Sequence, residues 1–344
     1  MLSALESYSK GTLLEVPFVA KKYFSRYCEV MRIMVSGGSG QIGTYLTYLL
    51  VREGLIVGNL GRAKSIKMSE DFSIEDFLIP SYESEHVLES LIKFKPDVFV
   101  NLASVSSVAL CETNPTLSKS VNLDFPLSIL EFIKMGVLGD CHFIQASSSE
   151  MFAGKSNQII SELSPVNPRS VYGKHKAEVH LRLNEYRDLH SVRASSVVLF
   201  NNESKLRDER FASKRIISDL VRLKLRLLES FRLGNDFVTR DWNHPSDTSQ
   251  ALRMIIESGR ADDYVVGSGE LHSIRELIEV AANFLQLDLS KIPIVKDLNL
   301  ARSFENHGLV ANSSRIRDWF GWIPNYTFKE IVEEMVLSEL ENVQ

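Results

Sequence analysis

The sequence has little cysteine, with only Cys28, Cys111 and Cys141 among 344 residues. An odd, sparse set of this kind excludes a disulfide framework, and its spacing matches no metal-ligand motif, so we expect no metal. Sparse cysteine is typical of a reducing compartment, and we therefore expect a cytoplasmic protein.

Long hydrophobic runs are also missing. No stretch approaches the roughly 20 apolar residues that cross a membrane, so we expect no membrane partner. Residues 1–30 lack the order of a basic segment followed by an apolar one that marks a signal peptide. We interpret them as an N-terminal extension, which could be a loosely packed leader or a segment used in assembly.

An excess of positive charge is absent as well. The formal net charge of −5 argues against general nucleic-acid binding, so no nucleic-acid partner is expected. What is present is ordinary for a globular protein, with 44% hydrophobic and 24% charged residues. The length is sufficient for two domains or lobes.

A glycine-rich motif, residues 37–43, follows a strand-length apolar run, residues 32–36, and precedes a segment with helical spacing, residues 44–51. This context is typical of dinucleotide binding, because glycines allow a tight turn and a close approach to a pyrophosphate at a helix N-terminus. The residues predicted to contact the cofactor here are Gly37, Gly40, Gln41, Ile42 and Gly43.

The second predicted strand, residues 55–58, is followed by no acidic residue through position 64. A site that prefers NAD usually has an acid there for the ribose hydroxyls. Arg62 could instead pair with the 2′-phosphate of NADP, so we predict NADP and leave NAD open; a solvated basic loop is the alternative. The next predicted strand, residues 98–103, ends in a stretch, residues 101–104, that places small residues where a backbone must pass close to a ligand. We expect Leu102 and Ala103 of this stretch to contact the cofactor.

Apolar strands alternate with amphipathic helices in this half of the chain. Such alternation predicts an α/β fold with a Rossmann-like, doubly wound parallel sheet. Ligands bind such sheets at the carboxyl ends of their strands.

The polar residues 147–150 follow the predicted strand 141–146 and are therefore expected at this edge. Alone, a serine run could be only a turn. Tyr172 and Lys176 are four residues apart, on one face of a predicted helix. We expect the ammonium to lower the pKa of Tyr172 and make it a usable base. Our hypothesis is one active site for a sugar beside a nicotinamide, formed by Ser148, Glu150, Tyr172 and Lys176.

With these motifs the sequence resembles the extended short-chain dehydrogenase/reductases that act on nucleotide sugars, and within them the GDP-mannose 4,6-dehydratase family. The resemblance covers roughly residues 31–336. The stretches that carry it are Gly37–Gly43, Asn101–Ala103, Gln145–Glu150, Pro168–Gly173 with Lys176, and Leu199–Ser204.

The resemblance implies a role for each catalytic residue. Tyr172 would take the proton of the C4 hydroxyl while hydride leaves C4 for NADP, and Lys176 would also hold the nicotinamide ribose. Ser148, where the family usually has threonine, would hydrogen-bond the C4 oxygen. Glu150 would take the C5 proton and help water to leave from C6, before hydride returns to C6.

The resemblance further implies a GDP-linked substrate, GDP-mannose or a related hexose or heptose, and a homodimer or homotetramer. Residues 31–200 would form the NADP-binding domain, with a return around residues 240–260, and residues 201–340 a smaller, mixed α/β lobe for the nucleotide sugar. The residues implied to bind the substrate are Ser149, Asn201, Arg215, Arg240, Arg302 and Glu305. If the resemblance is set aside, Arg215 and its basic neighbours could simply be a run of charged residues exposed to solvent.

Two rival functions use the same scaffold. The first is a nucleotide-sugar epimerase or reductase, against which Glu150 argues, since an epimerase needs no such carboxylate. The second is a non-catalytic NADP-binding subunit, against which the presence of Tyr172, Lys176 and Glu150 argues.

Overall fold

The structure, a computed structural model, describes residues 30–69, 72–82, 84–154, 157–292, 294–297 and 308–343. Residues Met31–Gln344 form one compact unit. The predicted N-terminal extension lies outside the described residues, except for Val30.

The strands and helices alternate through much of the described chain. The strands are β1 (Arg32–Ser36), β2 (Ile56–Gly61), β3 (Glu75–Leu78), β4 (Val98–Asn101), β5 (His142–Ser148), β6 (Gln158–Ile160), β7 (Ala194–Leu199), β8 (Asn201–Asn202), β9 (Phe231–Leu233), β10 (Thr239–Asn243), β11 (Asp263–Val266), β12 (Leu271–Ser273), β13 (Ile294–Lys296) and β14 (Leu309–Ala311). The α-helices are α1 (Gln41–Arg52), α2 (Ser84–Phe94), α3 (Val108–Thr113), α4 (Pro115–Lys119), α5 (Phe125–Lys134), α6 (Val171–His190), α7 (Ala212–Lys224), α8 (Pro245–Ser258), α9 (Ile274–Leu285), α10 (Ser314–Phe320) and α11 (Phe328–Val343).

Seven strands of the described chain form one sheet, in the order β11–β7–β5–β4–β1–β2–β3. All of its strand pairs are parallel. The chain runs outward from β1 to β3 and then returns to β4 on the other side, so the strand order reverses between β1 and β4. The predicted doubly wound fold is therefore confirmed, and the reversal places a crevice at the carboxyl ends of these central strands.

Hydrophobic clusters cover both faces of this sheet. Successive residues of β1 point to opposite sides, so Met34 packs in one cluster with Leu91 of α2, and Ile33 in the other with Leu46 of α1. A third cluster forms the core of a smaller lobe, between α7, α9 and α11. Burial on both faces explains why the strands read as nearly continuous apolar runs.

Helix α8 packs against α1 through Leu252, which belongs to the same cluster as Leu46 and Leu50. The return of the chain around residues 240–260 to the cofactor-binding half stays a prediction. The division into residues 31–200 and 201–340 stays a prediction. No helix in the described part of the chain is long and apolar enough to cross a bilayer.

The Asp241 carboxylate in β10 joins three segments of the smaller lobe. It accepts hydrogen bonds from Ser268 N and Oγ at 2.8 Å, from Gly269 N at 2.9 Å and from Ala311 N at 2.9 Å. In asparagine, an amide NH₂ group replaces one of the two carboxylate oxygens, and it cannot accept the hydrogen bonds that this oxygen accepted. We therefore expect Asp241→Asn to lower the free energy of unfolding by about 3 kcal/mol. Urea unfolding measures the loss, and the exposed Asp188→Asn is the matched control. Equal unfolding midpoints for the two variants would contradict this prediction.

Candidate active site

A cavity of about 650 Å³ opens at the carboxyl edge of the main sheet. Its walls come from the glycine-rich turn, the ends of the central strands, the first turn of α6 and parts of the smaller lobe. A volume of this size suits a large organic ligand. The predicted site residues that line it are Gly37, Gly40, Gln41, Ile42, Gly43, Arg62, Leu102, Ala103, Ser148, Ser149, Glu150, Tyr172, Lys176, Asn201, Arg215 and Arg240. Arg302 and Glu305 lie outside the described residues.

The glycine-rich turn requires a positive φ at one glycine and leaves no room for a Cβ at two. Gly37 has a φ of +73°, and a Cβ there would lie 2.9 Å from Ala103 N. A Cβ on Gly43 would lie 2.3 Å from Gly37 O, so these glycines allow the turn itself. Gly40 precedes α1, which has no side-chain cap at this position. The first-turn N–H groups of α1 are therefore suited to a ligand phosphate.

Gln41 lines the cavity, but its side chain is used within the protein. Its Nε2 donates to Asn202 O at 2.8 Å, and its Oε1 accepts from Ser204 Oγ at 3.0 Å. The amide thus fastens the glycine-rich turn to the segment after β7. A contact between Gln41 and the cofactor would therefore have to come from its backbone.

The end of β2, where no acidic residue occurs, carries a buried amide. The strand continues to Gly61, beyond the predicted residue 58, and contains the buried Asn59. Asn59 accepts from Gly38 N at 2.9 Å and donates to Ala63 O at 3.1 Å and Asp76 Oδ1 at 2.7 Å. Its amide is therefore committed to holding the turn. Arg62, exposed and at the cavity wall, is the charged side chain of this strand end.

A short 3₁₀ turn, Ser149–Phe152, follows β5 and carries Glu150 into the cavity. Ser148 caps it, since its Oγ accepts from Glu150 N at 3.2 Å. Helix α6 approaches this turn closely, because a Cβ on Gly173 would lie only 2.5 Å from Glu150 O. Ser170 caps α6 by accepting from Gly173 N at 3.0 Å. Backbone contact at a glycine thus brings the first turn of α6 against the serine–glutamate turn.

Gly173→Ala should separate these two segments. The added methyl must displace either α6 or the turn that carries Glu150, and a displacement of about 1 Å in an active site costs up to about 100-fold in rate. We therefore expect kcat to fall by at least about tenfold. Steady-state kinetics test this, with Gly61→Ala as control, because a Cβ there meets nothing nearer than 3.7 Å. Equal kcat values for the two variants would refute the proposed tight contact.

Tyr172 and Lys176 are both buried, with exposed fractions of 8% and 2%. The Lys176 Nζ lies 5.8 Å from the centre of the Tyr172 ring. Burial raises the pKa of Tyr172 to about 12, although the neighbouring Ser148 and Ser104 hydroxyls lower it. Burial also lowers the pKa of Lys176 to about 8. The pKa of Tyr172 therefore lies above its ordinary value and not below it as expected, because burial outweighs the two serine hydroxyls.

The Lys176 ammonium has hydrogen-bonding capacity to spare. It donates to Ala146 O at 2.8 Å, and no other acceptor within the described residues reaches it. An ammonium has three donors, and a buried one needs them satisfied. Hydroxyl groups of a ligand in the cavity, such as those of a nicotinamide ribose, would satisfy the remaining two.

Most of the basic segment before and within α7 is paired inside the protein. The ion pairs are Arg207–Glu203 at 3.2 Å, Arg210–Asp208 at 2.7 Å and Lys214–Glu339 at 2.6 Å. Arg207 and Arg210 line the cavity as well, but Arg215 differs from all three because no described residue forms an ion pair with it. Arg215 also lines the cavity, and its buried Nε has no hydrogen-bond partner among the described residues. Such a guanidinium is suited to phosphate oxygens. Arg240 reaches the same cavity, where its Nη1 donates to Thr239 O at 2.8 Å.

Several cavity residues received no site role from the sequence, among them Ser104, Ser106 and Tyr82. The two serines follow β4 at the carboxyl edge of the sheet. The rule that placed the serine run after β5 could have found them. Tyr82 lies in an irregular segment for which no sequence signal indicates a site.

This sheet, with a glycine-rich turn after its first strand and Ser148, Tyr172 and Lys176 at its carboxyl edge, defines an extended short-chain dehydrogenase/reductase. The sequence model of one family, described as GDP-mannose 4,6 dehydratase, matches residues 34–335. The chain belongs to this family.

Individual relatives agree with that assignment. GDP-mannose 4,6 dehydratase 1 of Arabidopsis thaliana is 30% identical over 329 residues, which cover 90% of this chain and 89% of that protein. Two solved structures share the fold. A Streptomyces venezuelae dTDP-glucose 4,6-dehydratase with NAD bound has a TM-score of 0.79 at 19% identity, covering 91% of this chain and 98% of that one. RMD from Pseudomonas aeruginosa, complexed with NADPH, has a TM-score of 0.74 at 22% identity, covering 91% and 100%.

Proposed function

We propose that this chain is a nucleotide-sugar 4,6-dehydratase, a hydro-lyase, that acts on a GDP-linked hexose or heptose, with GDP-mannose as the first candidate. The observation that carries this proposal is the position of Glu150. It lies on the turn capped by Ser148 and lines the same cavity as Tyr172 and Lys176. For proton transfer, oxidation at C4 needs the tyrosine alone, whereas loss of water across C5 and C6 needs a second proton-transfer group.

A nicotinamide dinucleotide fits the cofactor half of the cavity. The uncapped start of α1 suits its pyrophosphate, and the spare donors of Lys176 suit its ribose hydroxyls. A nicotinamide bound there would supply the hydride chemistry, which is oxidation at C4 of the sugar and later reduction at C6. We propose NADP rather than NAD, because Arg62 and not a carboxylate lines the cavity at the end of β2.

The side chains then divide the proton transfers between them. Tyr172 takes the C4 hydroxyl proton, and Ser148 hydrogen-bonds the same oxygen. Once C4 is a ketone, the C5 proton is acidic and Glu150 removes it. The same carboxyl group delivers a proton to the C6 oxygen as the C6–O bond breaks, so that water leaves.

The nucleotide would extend toward the smaller lobe. Arg215 and Arg240 would bind the diphosphate, and Ser149 and Asn201 would contact the rest of the substrate; the position of all four on the cavity wall supports this proposal. Arg302 and Glu305, which lie outside the described residues, are proposed to bind the substrate from the family resemblance alone.

Incubation with a panel of GDP-, UDP-, CDP- and dTDP-sugars tests this function. We expect a GDP-sugar product that has lost one water by mass, with no net consumption of cofactor. Epimerisation would give a product of unchanged mass, and a non-catalytic subunit would bind cofactor without turning over any sugar. Either result for the GDP-sugars would refute the proposal.

The proposal also includes a homodimer or homotetramer and a cytoplasmic location. Light scattering of the purified protein measures the mass of the assembly, and a monomeric mass would contradict the first of these. Fractionation of the cells that make the protein tests the second.

A further inference from the structure

Ser104 lies in the loop after β4, beside the phenol of Tyr172. Both side chains line the cavity, together with Ser148. Ser104 and Ser148 each lower the pKa of Tyr172 through their hydrogen-bonding capacity, against the larger effect of burial. The proposed function uses Ser148 and Tyr172, and it leaves Ser104 without a role.

Asn122 fixes the direction in which Ser104 donates its proton. The Asn122 amide pairs with both backbone groups of Val105, since Oδ1 accepts from Val105 N at 2.9 Å and Nδ2 donates to Val105 O at 3.1 Å. A backbone N–H can only donate and a carbonyl can only accept, so the amide has one possible orientation. Ser104 Oγ lies 2.9 Å from the amide oxygen and must therefore donate to it.

Asn122 is itself held firmly in place. It is 1% exposed and lies in a π-helical segment, Ser120–Asp124. Its Nδ2 also donates to Ser118 Oγ at 3.2 Å, and that oxygen lies 2.9 Å from Nδ1 of His175. Because His175 is on α6, the acceptor of the Ser104 proton is connected to the helix that carries Tyr172.

We propose that Ser104 is a second hydroxyl partner of Tyr172. When the Tyr172 oxygen is negatively charged, the Ser104 hydroxyl rotates, so that it donates its single proton to that oxygen instead of to Asn122. While Ser104 donates to Asn122, it can only accept from a neutral Tyr172, because a hydroxyl has one proton. After this rotation, the Asn122 oxygen keeps Val105 N as a donor. Ser104 is thus a positioning residue that acts through Tyr172, and the inference rests on the proposed use of Tyr172 as the base.

Ser104 lowers the pKa of Tyr172, whereas two other groups around the phenol raise it. Glu150, after β5, and Cys111, on α3, both raise the pKa of Tyr172. Burial raises the pKa of the Cys111 thiol, which therefore stays neutral near pH 7. Lys176 on α6 is the neighbouring cation, 5.8 Å from the ring centre. Without Ser104, the charged form of Tyr172 should therefore require a higher pH.

The pH dependence of kcat/KM in Ser104→Ala tests the proposal. We expect a loss of roughly tenfold or more near neutral pH, as for a hydrogen bond to a charged group, which shrinks as the pH rises. Ser104→Thr keeps the hydroxyl and should retain activity close to that of the wild type. A loss in Ser104→Ala that is the same at every pH, or no loss, would overturn the proposal.

A second measurement does not depend on turnover. Difluorotyrosine at position 172 titrates at a lower pH than tyrosine, and its ¹⁹F resonance reports the charge. We expect a higher midpoint in Ser104→Ala than in the wild type or Ser104→Thr, and an unchanged midpoint would overturn the inference. A raised midpoint in a protein that dehydrates no nucleotide sugar would support this role of Ser104 while refuting the proposed function.

Discussion

Replacement of Glu150 by glutamine is expected to lower kcat for dehydration by about 10²–10⁴-fold, the usual contribution of a positioned general acid or base. Glutamine keeps the size of the side chain and can neither accept the C5 proton nor return a proton to the C6 oxygen. The capping bond from Glu150 N to Ser148 Oγ is a backbone contact and should survive. Product formation is followed by mass, as the loss of one water from the nucleotide sugar.

Glu178→Gln is the matched control, because Glu178 is exposed on α6 and does not line the cavity. It should retain wild-type kcat. If Glu150→Gln formed the 4-keto-6-deoxy product at nearly the wild-type rate, the role of Glu150 in elimination would be wrong. The site would then contain no identified base for C5.

Lys176→Met is expected to lower kcat by at least about 10²-fold and to raise stability near neutral pH. Burial lowers the pKa of Lys176 from 10.5 to about 8, so the folded protein holds this ammonium at a cost on the order of 3 kcal/mol, given about 1.4 kcal/mol per pKa unit. Methionine has a similar length and carries no charge, although the Ala146 carbonyl loses its donor.

The pH dependence of the Lys176→Met stability follows from the same shift. Between pH 8 and 10.5 the unfolded lysine is protonated and the folded one is not, so wild-type stability rises with pH over this range. The cost is fully present below about pH 8, and the stability advantage of the variant should shrink above it. Thermal unfolding at several pH values measures this, with the exposed Lys174→Met as control. A difference in stability that does not change with pH would refute the buried-ammonium interpretation.

Local patterns in the sequence were sufficient for the elements around the site. The glycine-rich turn and α1 follow from glycine spacing and apolar periodicity, and α6 follows from the segment that carries Tyr172 and Lys176. The rule that ligands lie at the carboxyl edge of a parallel sheet brought the residues after β5 to the same place. The structure then places these predicted residues around one cavity.

The properties that the sequence analysis missed depend on burial and on contacts between distant segments. The spacing of Tyr172 and Lys176 indicated an attractive ammonium, but the pKa of Tyr172 depends on how deeply the phenol is buried. The basic segment looked available for a diphosphate, yet Lys214 pairs with Glu339 in α11, far along the chain. The orientation of Ser104 likewise depends on Asn122, which belongs to a different element.

The most direct test of the central claim uses GDP-mannose labelled with deuterium at C4. If Tyr172 and Glu150 divide oxidation and elimination as proposed, the product is a 4-keto-6-deoxy sugar that has lost one water and carries the deuterium at C6, while the amount of oxidised cofactor is unchanged. A product of unchanged mass, or deuterium that remains in the cofactor, would contradict the account.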